Sequence, residues 1–108
     1  MEFDANLTKS LVEPLILHLV SHQPRYGYEI INMVSELSEK AFEWREGFLY
    51  PCLRRMENQG LVESEWQTSD SGRRRKYYKI TEKGVEVLQQ KLDEWQAFSR
   101  AANAVLEG

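Results

Sequence analysis

The sequence predicts a mainly α domain with one small β-hairpin, and three stretches carry that prediction. Leu49, Leu53 and Met56 fall at i, i+4 and i+7, so they form the apolar face of a short helix, while Tyr50, Arg54 and Asn58 fall on a polar, positive face. Residues 61–66 alternate loosely as a strand, 69–72 are turn chemistry, and 77–80 return as a second strand after a basic run. From Thr81 onward, Val85, Leu88, Leu92, Trp95, Ser99, Ala102 and Leu106 step by three and four along one long helix. A helix with a basic outer face, followed by a hairpin with a basic tip, describes a winged helix-turn-helix domain. We place it over residues 1–80, with a C-terminal dimerisation helix over residues 81–108.

The totals bound the rest. The 108 residues suffice for one domain with a modest core, and 42% hydrophobic with 29% charged is ordinary soluble composition. No apolar run approaches a membrane span, and the N-terminus lacks a basic region followed by an apolar segment, so no membrane partner and a cytoplasmic location are expected. The single cysteine, Cys52, excludes an internal disulfide and a cysteine-rich zinc site. The net charge of −3 looks wrong for a nucleic-acid binder until it is divided along the chain. Residues 1–44 carry 3 basic and 7 acidic side chains, residues 45–84 carry 9 and 6, and residues 85–108 carry 2 and 4. The positive charge is therefore gathered in the suspected winged helix, where one face would meet phosphate.

The elements follow in order. Residues 1–6 read as a frayed terminus. Residues 7–21 form an apolar-rich helix: Leu7, Leu11, Leu15, His18 and Leu19 recur at helical spacing, and Val12, Ile16 and Val20 widen the stripe so that it can be covered on more than one side. Pro14 should kink this helix or delay its regular start. His18 and His22 are four apart, but no third ligand stands near them, so no metal is expected. After a break at residues 22–24, a second helix opens at Arg25 and runs to about Leu37, with Ile30, Val34 and Leu37 facing inward. Gly27 at its start permits close packing or a tight entry. Tyr28 lies off the apolar stripe, either as a half-buried tyrosine or as a hydroxyl offered to phosphate. Phe42 and Trp44 cover the edge of the core in the linker. Glu46 complements the N-terminus of the third helix, and Pro51 requires that helix to start near Gly47 or Phe48. Gly60 ends it. Thr81 caps the last helix, whose 26 residues span about 39 Å. A compact domain of this size has a radius of gyration of about 13 Å, so the helix projects, and its outer apolar turns need another surface. A second copy is the natural source, giving a homodimer.

The motifs resemble those of the PadR family of bacterial transcriptional regulators. The resemblance rests on Tyr26-Gly27-Tyr28-Glu29-Ile30, on Leu49-Tyr50-Pro51 with Leu53 to Val62, on Gly72 to Tyr78, and on Ile80 to Gly84. It covers most of the chain, from about Leu11 to Trp95. It implies a winged helix-turn-helix repressor, dimeric through its last helix, of the short subfamily. It also implies that a flat aromatic molecule can bind at the dimer interface of some members, beside a tryptophan matching Trp95. One departure is Phe48, where the family usually has a small hydroxyl residue. Phe48 meets DNA only by packing, as on a thymine methyl, so the operator sequence does not carry over.

The expected sites are then as follows. Double-stranded operator DNA meets Tyr28, Gly47, Phe48, Tyr50, Arg54 and Arg55, with Arg73, Arg74, Arg75 and Lys76 on the wing. The dimer interface takes Leu7 and Leu11 from the first helix, and Val85, Leu88, Leu92, Trp95, Ala102 and Leu106 from the last. Trp95 with Phe98 either fills the dimer core or frames a slot for a planar aromatic ligand. An enzyme is not expected, because no nucleophile-and-base arrangement or phosphate-cradling glycine loop occurs, and no cofactor is expected either. Cys52 reads as a small apolar filler rather than a redox sensor. The competing function is a winged-helix module that binds a partner protein through the third helix.

Overall fold

The computed structural model describes residues 3–108. The chain runs α1 (Ala5–His22), β1 (Arg25–Tyr26), α2 (Gly27–Leu37), α3 (Glu46–Asn58), β2 (Val62–Thr68), β3 (Arg74–Ile80) and α4 (Glu82–Glu107). The expected four helices and hairpin are present, and a third strand joins them. The sheet order is β1-β3-β2, antiparallel throughout.

The first helix starts earlier than the apolar pattern suggests. Asp4 caps α1, accepting a hydrogen bond from the Asn6 backbone N–H at 2.9 Å. Helix therefore begins at Ala5, within the stretch expected to fray; residues 1–2 of that stretch lie outside the described residues. Pro14 sits inside the continuous helix and is buried. The buried row is Val12, Ile16, Leu19 and Val20 with Leu17, whereas Leu7 and His18 are exposed and Leu11 and Leu15 half-buried. The core thus takes the expected widening positions Val12, Ile16 and Val20 together with Leu19, and leaves out Leu7 and His18 from the same stripe. His18 and His22 stack edge to face at 4.9 Å, and no group of three or more metal-binding side chains occurs among the described residues.

β1 occupies the residues expected to open the second helix. Arg25 and Tyr26 pair with Tyr78 and Tyr77, so α2 starts at Gly27. Ile30 and Val34 are buried, but Leu37 is 69% exposed. Leu37 shares their helical face, yet it is the last residue of α2 and runs past the edge of the core. In the linker Trp44 is buried and Phe42 half-buried, as expected for a core cover.

α3 begins at Glu46, making Pro51 its sixth residue and placing it in the second turn rather than the first. The missing Pro51 N–H forfeits one helical bond, to the carbonyl of Gly47, an exposed residue within reach of water. Leu49, Leu53 and Met56 are fully buried, and with Ile16, Leu17, Ile30 and Val62 they form the centre of the core. The C-terminus closes in a Schellman motif. Gly60 N–H donates to Glu57 O and Leu61 N–H to Met56 O, both at 3.0 Å, and Gly60 takes φ +77°. That left-handed backbone is why glycine stands there.

β2 and β3 pair over seven residues each, from Val62↔Ile80 to Thr68↔Arg74. This corrects the expectation of a basic tip: Arg74, Arg75 and Lys76 belong to the paired strand, opposite Thr68, Gln67 and Trp66, and only Arg73 remains in the turn.

Thr81 caps α4 as expected. Its Oγ1 accepts from Gly84 N–H at 3.0 Å and donates to Gly60 O at 2.6 Å, while Lys83 Nζ donates to Gln59 O at 2.8 Å. The start of α4 is thereby tied to the end of α3. α4 packs against α1, and beyond Leu92 its large apolar side chains Trp95, Phe98, Val105 and Leu106 are exposed. The chain measures 57 × 31 × 21 Å with a radius of gyration of 15.3 Å, larger than the compact value of about 13 Å. No helix among the described residues is long and apolar enough to cross a membrane.

Candidate nucleic-acid interface

The outer face of α3 and the β2–β3 hairpin enclose a groove of about 690 Å³. The first turn of α2 contributes Gly27 and Tyr28, with Tyr26 before them; α3 contributes Glu46, Tyr50, Arg54 and Glu57. The hairpin contributes Trp66, Arg73, Arg74, Arg75, Lys76 and Tyr78. Glu46, Tyr50 and Arg54 are successive i, i+4 positions, so burying Leu49, Leu53 and Met56 turns this row outward into the groove. The result is an open, cationic concavity interleaved with aromatic rings.

Strand alternation divides the basic run. Lys76 Nζ lies 5.7 Å from the Tyr78 ring centre, and the Arg74 guanidinium 5.2 Å from that of Trp66. Arg75 goes with the other set, 4.4 Å over Tyr26, whose ring meets Tyr77 edge to face at 5.4 Å. The aromatic faces hold the cations extended at the wall of the groove. Glu57 fastens the wall to the helix: its carboxylate accepts from Ser64 Oγ on β2 and lies 3.7 Å from Lys76 Nζ on β3.

Two phenols line the groove, Tyr50 from α3 and Tyr78 from β3. Burial raises the Tyr50 hydroxyl pKa, with the Glu46 charge adding to it. Burial also raises that of Tyr78, helped by Glu57 and Tyr50 and opposed by Arg54. Both phenols are therefore hydrogen-bond donors at neutral pH. Tyr28 is 56% exposed at the rim, which discards the half-buried alternative for it.

The groove brings together Tyr28, Tyr50, Arg54, Arg73, Arg74, Arg75 and Lys76 of the expected DNA-binding set. Gly47, Phe48 and Arg55 line other surface. Phe48 packs toward Trp44, ring centres 5.6 Å apart, and Arg55 Nη2 lies 3.5 Å from the sulfur of Cys52, which is buried. Residues missed by the expectation are Tyr26, Gly27, Glu46, Glu57, Trp66 and Tyr78. Helix phase was the available signal for two of them, Glu46 at i−4 from Tyr50 and Glu57 at i+3 from Arg54; Tyr26, Trp66 and Tyr78 depend on strand pairing, and Gly27 on how α2 packs against α3.

The expected dimer residues are distributed unevenly. Leu88 is buried in the chain's own core, and Leu92 is half-buried against it. Leu11 and Ala102 are half-buried. Leu7, Val85, Trp95, Phe98 and Leu106 are exposed, Phe98 at 68% and Leu106 at 81%.

The fold and the groove define a winged-helix protein with a projecting last helix. The chain belongs to the transcriptional regulator PadR-like family, whose pattern it matches over residues 16–90. It is similar to a PadR-like transcriptional regulator from Bacillus cereus, with 34% identity and a TM-score of 0.85 over 96% of this chain and 99% of that one. A PadR family regulator from Eggerthella lenta superposes with a TM-score of 0.82 at 30% identity, covering 94% of this chain and 87% of that one. A transcriptional regulator from Mycobacterium tuberculosis is 33% identical over 85% of this chain and 82% of its own length. The family is one of regulators of transcription, not of enzymes.

Proposed function

We propose that this regulator is a cytoplasmic repressor that binds a two-fold operator as a homodimer. Residues 1–80 act as the DNA-binding domain and residues 81–108 hold the dimer. The observation that carries this reading is the groove: a helix face bearing Tyr50 and Arg54 stands beside a wall of Arg73, Arg74 and Lys76. The helix suits the major groove and the wall suits the flanking phosphates. The exposed row of Trp95, Phe98 and Leu106 supports a second copy along α4, since large apolar side chains in one line call for a partner. Two-fold symmetry then places half-sites one helical turn, roughly 34 Å, or a multiple apart.

Trp95 with Phe98 supports the further reading that a planar aromatic molecule binds between the two copies. It weakens operator binding to the extent that it prefers one spacing of the two winged helices. A mobility shift with the DNA upstream of the protein's own gene, with and without aromatic compounds, tests both parts. A retarded band that disappears on adding such a compound is the expected result. No shift with any duplex, alongside salt-insensitive capture of a protein, would favour the protein-interaction module instead.

A further inference from the structure

We infer that Glu46 reads a base: its carboxylate accepts a hydrogen bond from the exocyclic amino group of a cytosine and selects cytosine at one position of each half-site. This rests on the DNA-binding reading above and deepens it.

Three observations converge. Glu46 begins the row Glu46, Tyr50, Arg54 and lines the groove with them. It is the first residue of α3, and in helix-turn-helix proteins the N-terminal residues of the recognition helix are those that touch base edges. Its charge is felt at the Tyr50 hydroxyl, so the two groups share one place on this face.

The second observation is the contrast with Glu57. That carboxylate is occupied, by Ser64 and Lys76. Glu46 is exposed and has no ion pair or side-chain hydrogen bond among the described residues.

The third is chemical. A free carboxylate on a surface otherwise built for phosphate repels phosphate, so its use there lies with a donor on the DNA. In the major groove cytosine presents an amino donor, guanine presents two acceptors, and thymine presents an acceptor and a methyl. Adenine offers its amino group beside the N7 acceptor, which a carboxylate would face unfavourably. Cytosine is the base that fits. The plainer role, a charge complementing the N-terminus of α3, predicts a change in stability but none in base preference.

Selection from duplexes carrying a randomised site separates the two, using the full-length wild type, Glu46→Ala and Glu46→Gln, each checked for folding by thermal melting. The wild type should enrich cytosine at one symmetry-related pair of positions. Glu46→Ala should lose that preference, by roughly tenfold, and keep the preferences elsewhere. It should also bind unselected duplex more tightly, because a repulsive charge is gone. Glu46→Gln should move the same position toward adenine, which glutamine pairs with in two bonds. An unchanged profile in Glu46→Ala, with only a uniform shift in affinity or Tm, overturns the inference and leaves Glu46 a helix-end charge. So does a wild-type site without cytosine preference. Wild type that binds no duplex would overturn the DNA-binding reading itself.

Discussion

The Tyr50 ring lies against the backbone of Gly27, so close that a Cβ added to Gly27 would stand 2.6 Å from the phenol oxygen and 2.7 Å from ring carbons. The glycine at the start of α2 is thus the seat of a side chain from α3. Because the atoms in conflict are the far end of one side chain, Gly27→Ala should displace Tyr50 rather than unfold the domain. The expected outcome is a melting temperature within a few degrees of wild type, with duplex binding weakened several-fold. Tyr50→Ala should make the Gly27 substitution nearly silent, a non-additive pair in a double-mutant cycle. Additive effects would mean that Gly27 acts on DNA independently of Tyr50.

Phe98→Asp should break the dimer and leave the protomer folded. Phe98 is 68% exposed on α4, so the charge meets water within one chain and is unpaired only across an interface. Leu92→Asp is a poorer test, because Leu92 also packs on the chain's own core. Sedimentation should give a species near twice 12.7 kDa for wild type and near 12.7 kDa for Phe98→Asp, with unchanged far-ultraviolet circular dichroism.

Tyr78 is expected to govern stability at alkaline pH. Burial, then the Glu57 charge, raises its pKa above the ordinary tyrosine value of 10.0. The folded state favours the neutral phenol, so this contribution is intact below the unfolded pKa and is lost as pH rises through the folded one. The denaturant midpoint should fall above about pH 10, and fall less in Tyr78→Phe. Parallel curves for the two proteins would assign the loss to other groups.

Trp95, 42% exposed, should report any aromatic ligand on α4. Flat aromatic cations and phenolic acids titrated against tryptophan fluorescence are expected to quench wild type and to spare Trp95→Phe, which retains Trp44 and Trp66. Quenching that persists in Trp95→Phe would remove the ligand slot and leave Trp95 as a packing residue.

Much of this architecture was legible because it is local. The phase of Leu49, Leu53 and Met56, the glycine after α3 and the Thr81 cap are all properties of a few adjacent residues, and the structure has them in place. What escaped is set by distant pairing. β1 exists only because Arg25 and Tyr26 meet Tyr78 and Tyr77, some fifty residues on, and two residues carry no alternation to read. The β2–β3 pairing, which runs further than the turn residues announce, takes Arg74, Arg75 and Lys76 from the hairpin tip into a strand and splits their directions. Leu37 shows the limit of periodicity: the phase gave the face, but not where the core ends. In the groove, Tyr50 and Arg54 followed from helix phase, and Glu57 shares that phase at i+3 from Arg54, whereas Trp66 needed the hairpin folded against α3.

The central claim, that this groove holds duplex DNA, is tested most directly by the salt dependence of duplex affinity in wild type and Arg74→Ala. Affinity should fall steeply as salt rises. Arg74→Ala should weaken binding to every sequence and flatten the slope by about one unit for each phosphate no longer neutralised. Affinity independent of salt, or a slope unchanged by removing Arg74 and likewise by removing Arg54, would contradict the account.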